Sequence, residues 1–289
     1  MSGVIGVDWG SSNLRAFRFD DQGTVKDRRS SAHGAAGLAK EDFPRVLAEV
    51  IGDWCDGGTR IVMAGMVGGR VGWQEAPYLP CPADPGQLAA SALPLETSLG
   101  RAWLVPGLSS RNADGMADVM RGEETQLLGA GVGNGSVVLP GTHSKWATMQ
   151  DGRIMGFSTA MTGELYALLC KHSLLGQLAV AAADFEPEAF KRGTRRALDA
   201  RTIVPLLFSA RADVLLGDMQ GTAVESYLSG LLIGGEIAAF GAQPVTLIGN
   251  TALVERYQLA LHLAGAPQSL VVDGDCAVAR GLWMIGEHL

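Results

Sequence analysis

The feature that constrains this chain most is a succession of elements that occurs twice. In the first copy the apolar run Val4–Val7 leads into Asp8 and the small-residue turn Gly10-Ser11-Ser12-Asn13. Leu14–Phe19 then alternates apolar and polar residues. A turn at Asp21-Gln22-Gly23, a third strand-like stretch (Thr24–Ser30) and a helical stretch (Glu41–Trp54) follow. About 130 residues further on the order returns: Ser136–Pro140, the turn Gly141-Thr142-His143-Ser144, Lys145–Met149, the hairpin turn Asp151-Gly152, Arg153–Ser158 and the helical Glu164–Lys171. Three antiparallel strands, a helix and a further strand (Arg60–Ala64) open a ribonuclease-H-like layer. The expectation is an α/β chain of two such lobes, residues 1–133 and 134–289, joined at the Gly-rich stretch 129–135. Two lobes facing each other would set their turns on opposite walls of one cleft.

The turns themselves suggest anion chemistry. Gly10 lets the backbone approach an anion closely, and Ser11, Ser12 and Asn13 offer N–H and side-chain donors. A carboxylate beside a phosphate is repelled unless a cation bridges them. Mg²⁺ does so, binding phosphate oxygens plus one or two carboxylates. Asp8 therefore either faces a Mg²⁺–nucleotide or is a turn Asp in an ordinary hairpin. The P-loop signature GxxxxGK[ST] is absent, and so are the protein-kinase Gly-rich loop and HRD motif. A Rossmann site is disfavoured, because these turns link strand to strand rather than strand to helix.

A two-lobed phosphotransferase also needs a carboxylate at the acceptor hydroxyl and a shelf for the nucleoside. Asp118 precedes a helix predicted from Val119 onward, where it reads either as a cap or as a general base. The strand Val245–Ile248 runs into Gly249-Asn250-Thr251 and a helix to Leu263, a place that can receive a nucleoside. The loop Gly65–Tyr78 holds Arg70, Trp73 and Tyr78. Arg70 either takes a substrate carboxylate or is a surface Arg, and the aromatics either line a pocket or pack beneath the loop. Further helices are predicted over 186–198, 203–214 and 222–240, the last with small residues suited to close packing. A final helix carries Ala277, Ala279 and Gly281 for the same purpose.

Size and charge remove several function classes. The 289 residues are 47% hydrophobic and 18% charged, which suits a substantial core. A formal net charge of −7 leaves no basic footprint for nucleic acid or anionic membrane. No apolar run of transmembrane length and no leader stand out, so a cytoplasmic chain is expected. Cys55, Cys81, Cys170 and Cys276 are scattered without metal-ligand spacing and read as free thiols.

Six stretches carry a resemblance that spans nearly the whole chain. They are VDWGSSNLR (7–15), AGMVG (64–68), GWQEAPY (72–78), DVMRGEETQ (118–126), LPGTHSKW (139–146) and YLSGLLIG (227–234). On these the chain resembles the 2-dehydro-3-deoxygalactonokinase family, within the actin, sugar-kinase and heat-shock-chaperone ATPase superfamily.

The resemblance implies ATP- and Mg²⁺-dependent phosphorylation of the terminal 6-hydroxyl of 2-dehydro-3-deoxy-D-galactonate, in galactonate breakdown. It implies that Asp8 faces Mg²⁺ while Gly10, Ser11, Ser12 and Asn13 meet the phosphates. Gly141, Thr142 and His143 would form the second phosphate turn, and Gly249, Asn250 and Thr251 would border the adenosine. Asp118 would be the base. Pro140 stands where many superfamily members carry an acidic residue, so His143 or Lys145 would supply positive character instead. Arg15 or Arg70 would bind the substrate carboxylate, and Met66 and Trp73 would lie beside the substrate. Glu164 would take a sugar hydroxyl or serve as a first-turn helix acid. Partners are a small sugar acid and ATP, with homodimer formation left open. Another sugar or sugar-acid kinase, or a non-catalytic ATP-gated switch, are the competing functions.

Overall fold

Strand β1 (Val4–Trp9) is buried along nearly its whole length, with Val4, Ile5, Val7 and Trp9 all in the core. That is the pattern of a central strand covered on both faces. It pairs antiparallel with β2 (Leu14–Phe19), which pairs antiparallel with β3 (Val25–Ser31). Helix α1 (Phe43–Ile51) packs Phe43, Val46, Leu47 and Ile51 into the same core as Trp9, Leu14 and Met63. In chain order there follow β4 (Arg60–Gly65), β5 (Tyr78–Pro80), α2 (Pro85–Ala90), β6 (Leu93–Thr97), β7 (Gly100–Leu104), β8 (Gly107–Arg111), β9 (Ala117–Met120) and α3 (Glu123–Gly129). Strand β4 runs parallel to β1, and β7 runs parallel to β4. The first sheet has the order β3-β2-β1-β4-β7-β6, and β5-β8-β9 form a small second sheet.

The remaining elements are β10 (Gly135–Leu139), β11 (Ser144–Gln150), β12 (Arg153–Ala160), α4 (Thr162–His172), α5 (Pro187–Leu198), α6 (Ser209–Leu215), α7 (Val224–Phe240), β13 (Val245–Gly249), α8 (Thr251–Leu263), β14 (Leu270–Asp273) and α9 (Gly274–Gly286). Their sheet has the order β12-β11-β10-β13-β14. Strand for strand this restates β3-β2-β1-β4-β7, so the repeat read from the sequence is a repeat of topology.

The computed structural model describes residues 3–180, 184–249 and 251–289. The chain divides into two units. One comprises Met1–Val137, Ala147–Ser158 and Val272–Leu289, and the other Val138–Trp146 and Thr159–Val271. The boundaries fall inside β10, β11, β12 and β14.

Each unit contains a helix pair in near backbone contact. A Cβ on Gly129 of α3 would lie 1.8 Å from the Ala277 carbonyl oxygen of α9, and one on Gly230 of α7 would lie 2.1 Å from the Phe190 carbonyl oxygen of α5. Only glycine permits either crossing, as the small residues of α7 and α9 suggested.

Three expectations need correction. Asp118 lies in strand β9 opposite Ser110, not at a helix start. Gly122, at φ 106°, breaks the chain before α3 begins at Glu123. The predicted helix 203–214 is a 3-10 turn at Val204–Leu206 followed by the short α6. The stretch Gly221–Phe240 is long and apolar enough by composition to cross a membrane, contrary to the reading that no such run exists. Of its most apolar 18-residue window 67% is buried inside the protein, which makes it a core helix.

Candidate active site

The turn between β1 and β2 is fastened on its carbonyl side. Ala35 and Ala36 donate their N–H groups to the carbonyls of Gly10 and Ser11 at 2.9 and 3.1 Å, and Trp9 Nε1 donates to His33 O at 2.8 Å. Gly34 approaches so closely that a Cβ there would sit 2.2 Å from Ser11 O. With the carbonyls turned inward, the N–H groups of Ser11, Ser12 and Asn13 donate to no group among the described residues, and all three residues are exposed. Successive unused N–H groups in one turn form an anion-binding concavity. Gly10 itself has room for a side chain, so its part here is not steric necessity.

Asp8 stands one residue before Trp9 at the end of β1. Arg15, its partner across the β1–β2 ladder, donates to Asp8 Oδ2 from Nε at 3.1 Å and from Nη2, and its Nη1 pairs with Asp275 at the start of α9. Burial pushes the Asp8 carboxyl up and the Arg15 charge and hydrogen bond pull against it, leaving the carboxyl above its usual value. Oδ1 takes no hydrogen bond among the described residues. Gly65, at φ 95°, lies so close that a Cβ would meet Trp9 O at 2.8 Å and Asp8 Oδ1 at 3.4 Å. A carboxylate oxygen without a hydrogen bond, on the strand that leads into the turn with unused N–H donors, suits a Mg²⁺ that takes its other ligands from phosphate and water. No group of three or more His, Cys, Asp or Glu residues among the described residues forms a metal cage by itself.

In the loop after β4, Trp73 is half-buried and Tyr78 is exposed. Trp73 stacks on Phe43 with ring centroids 5.9 Å apart, and both Trp73 and Met66 pack against the core. Arg70 is exposed and makes no hydrogen bond or ion pair among the described residues. Arg121, which drew no attention in the sequence, stacks over Tyr78 at 4.4 Å and donates to Ala76 O at 2.8 Å, tying the loop to the β9–α3 turn. Its Nε and Nη1 are buried without an acceptor among the described residues.

Glu124 is fully buried in that same turn, accepts from Gly122 N at 2.7 Å, and leaves Oε1 without a partner among the described residues. Burial and the neighbouring Glu123 push its carboxyl up to about 8. A pair of carboxylates in one helical turn usually signals a favourable dipole, so nothing in the letters alone marked Glu124 as buried. Asp118 is half-buried, and its Oδ1 accepts from the Val119 N–H at 2.7 Å.

The second turn, between β10 and β11, repeats the first in its chemistry. Thr142 O accepts from Glu164 N at 3.0 Å, and a Cβ on Gly163 would lie 2.5 Å from Gly141 O. The Thr142 and His143 N–H groups donate to nothing among the described residues. His143 and Glu164 meet side chain to side chain, so two residues assigned separately to phosphate and sugar form one pair. Lys145 is buried in β11.

A cavity of about 480 Å³ opens beside this turn, lined by Pro140, Gly141, Thr142, Tyr166, Ile233, Arg256 and Tyr257 among others. Gly249 comes near Pro140 O, but the α8 residues lining the cavity are Leu253, Arg256 and Tyr257 rather than Thr251. Asn250 lies outside the described residues.

Comparison with known proteins decides the family. A profile of the 2-keto-3-deoxy-galactonokinase family matches residues 8–285. The chain belongs to that family.

This kinase is 40% identical to the 2-dehydro-3-deoxygalactonokinase of Escherichia coli K12, over 98% of its own length and 97% of that protein's. It is 39% identical to the probable 2-dehydro-3-deoxygalactonokinase of Rhizobium meliloti 1021, over 96% and 94% of the two chains. A solved structure from Sinorhizobium meliloti, provisionally given the same activity, matches with a TM-score of 0.90 at 36% identity, covering 98% of this chain and 97% of that one. At 11% identity the activator of 2-hydroxyisocaproyl-CoA dehydratase from Clostridium difficile matches with a TM-score of 0.50 over 99% of this chain and 95% of its own. These matches place the kinase in the actin-like ATPase and sugar-kinase fold, and it uses ATP.

Proposed function

We propose that this kinase transfers the γ-phosphoryl of ATP to the 6-hydroxyl of 2-dehydro-3-deoxy-D-galactonate, with Mg²⁺ as cofactor, as a step of galactonate breakdown. The observation that carries the reading is the turn after Asp8, with three exposed residues whose N–H groups are unused, in a chain of this family. In this reading lobes 1–133 and 134–289 each contribute one phosphate turn, Gly10–Asn13 and Gly141–His143. Asp8 Oδ1 holds Mg²⁺, which neutralises charge on the phosphates. The cavity lined by Tyr166, Arg256 and Tyr257 takes the nucleoside.

Arg15 already serves two carboxylates, so Arg70 takes the substrate carboxylate. Asp118 orients or deprotonates the attacking hydroxyl. His143 approaches phosphate only when Glu164 yields it, which makes that pair a switchable contact.

A coupled ADP-release assay across hexoses, hexonates and 2-keto-3-deoxy acids tests the substrate. Turnover is expected with the galacto keto-deoxy acid, and strong turnover of glucose with none of the keto-deoxy acid would refute it. In Asp118→Ala, nucleotide binding should persist while transfer falls by about 10²-fold or more. Transfer at the wild-type rate removes Asp118 from the mechanism.

A further inference from the structure

Five side chains from four elements meet in the interior of the unit that holds the second turn. Ser144 and Trp146 come from β11, Thr162 from the start of α4, Glu236 from α7 and Tyr257 from α8, and all five are buried. Trp146 Nε1 donates to Glu236 Oε1 at 2.6 Å. Thr162 Oγ1 donates to Glu236 Oε2, as does the Tyr257 hydroxyl at 2.7 Å. The Tyr257 oxygen also lies 2.8 Å from Ser144 Oγ, and Ser144 Oγ is 3.4 Å from Gly141 N.

Proton counting gives this chain a direction. Tyr257 has one O–H and gives it to Glu236, so Tyr257 accepts from Ser144. Ser144 then has only lone pairs left for the Gly141 N–H. The line therefore runs from the phosphate turn inward, from Gly141 to Ser144 to Tyr257 to Glu236. A carboxylate with no cation among its partners is a costly group to bury, and if packing were its only task an apolar residue of similar volume would serve better. The line ends instead on the turn itself, and Tyr257 and Thr162 also line the cavity beside it.

We propose that Glu236 and Tyr257 are positioning residues for the nucleotide. Together they fix Ser144, and through it they hold the Gly141–His143 turn in the shape that receives phosphate. The proposal rests on the nucleotide reading above. It assigns a role to two residues that touch neither phosphate nor acceptor.

The test compares ATP with sugar acid in Tyr257→Phe, Ser144→Ala and Glu236→Gln. Binding of ADP and of a non-hydrolysable ATP analogue is measured by calorimetry, and KM is measured for both substrates. Tyr257→Phe and Ser144→Ala should each weaken nucleotide binding by about 10-fold while KM for the sugar acid moves by less than about twofold. Glu236→Gln keeps an acceptor and should lose only about threefold. The double variant of Tyr257 and Ser144 should be no worse than either single one, because both cut the same line.

A purely structural role would lower the melting temperature yet leave nucleotide affinity intact in the folded fraction, and that result overturns the proposal. So does an equal loss for both substrates. Where Tyr257→Phe fails to fold, Ser144→Ala carries the test. Wild-type protein that binds neither ADP nor the ATP analogue would instead defeat the nucleotide reading on which the proposal stands.

Discussion

Arg15 stands directly across from Asp8 in the β1–β2 ladder and donates to its Oδ2 from Nε at 3.1 Å, while its other end pairs with Asp275. The guanidinium is the main force opposing the burial that raises the Asp8 carboxyl. Arg15→Ala leaves that burial unopposed, so Asp8 holds its proton to higher pH. In the proposed reading Asp8 holds Mg²⁺ as a carboxylate, and the acid limb of kcat/KM for MgATP should then move to higher pH. The neutral-pH value should fall by about 10–100-fold, the worth of a charged hydrogen bond. KM for the sugar acid should not change. A limb that stays in place, or a loss confined to the sugar acid, would return Arg15 to the role of substrate anchor.

Arg70 shows the opposite arrangement, an exposed guanidinium with no partner among the described residues. An Arg that meets a carboxylate in the bound state and water otherwise changes binding without changing the fold. Arg70→Ala should raise KM for the sugar acid by about 10-fold or more, leave KM for ATP alone, and leave the melting temperature within a degree or two. Arg70→Lys should recover only part of the loss, because one ammonium cannot make the paired contact. Equal KM values in wild type and Arg70→Ala would leave the carboxylate without its anchor.

The parts of this molecule set by local chemistry could be read from its letters, and the parts set by assembly could not. The two turns, the meander of β1 to β3 and the glycine-faced helices announced themselves through periodicity and small residues. The strand β9 did not. Asp118-Val119-Met120 has helix-like neighbours on its C-terminal side, and only the positive φ of Gly122 and pairing with β8 decide for a strand. The pairing of Arg15 with Asp8 was implicit in a tight hairpin, since residues flanking such a turn must face each other. The contacts of Ser144 with Tyr257, and of Tyr257 with Glu236, join residues far apart in the chain, so no motif could carry them.

Glu124 predicts an unusual pH dependence of stability. Its carboxyl sits at about 8 in the folded protein against 4.5 when unperturbed, because it is wholly buried. Between those two values the folded state keeps a proton that the unfolded chain releases. Its contribution is therefore complete below about pH 4.5 and is lost as pH rises toward 8, by at most ~1.4 kcal/mol per pH unit. Glu124→Gln should flatten that slope, and its stability relative to wild type should improve steadily from acid to mildly alkaline pH. Urea unfolding of both proteins at several pH values checks this. Parallel stability curves would mean that Glu124 is charged when folded.

Gly34 tests whether the first turn must keep its shape to bind nucleotide. Its backbone, at φ −73° and ψ 157°, suits any residue, so replacement brings no dihedral penalty. The obstacle is space. A Cβ would sit 2.2 Å from Ser11 O and 2.4 Å from Ser12 Cα, and both are main-chain atoms that cannot swing aside. Gly34→Ala must push the Gly10–Asn13 turn away from the segment that fastens it. Overpacking of this kind costs about 1–3 kcal/mol. The same displacement disturbs the orientation of the unused N–H groups, so ATP affinity should fall by about 10-fold or more while the sugar acid binds nearly as before. Gly37, three residues on, has nothing among the described residues within 4 Å of the place its Cβ would take, and Gly37→Ala should change stability by less than about 0.5 kcal/mol and ATP affinity not at all. If Gly34→Ala is destabilised to this extent yet binds ATP as tightly as Gly37→Ala does, the Gly10–Asn13 turn holds no phosphate.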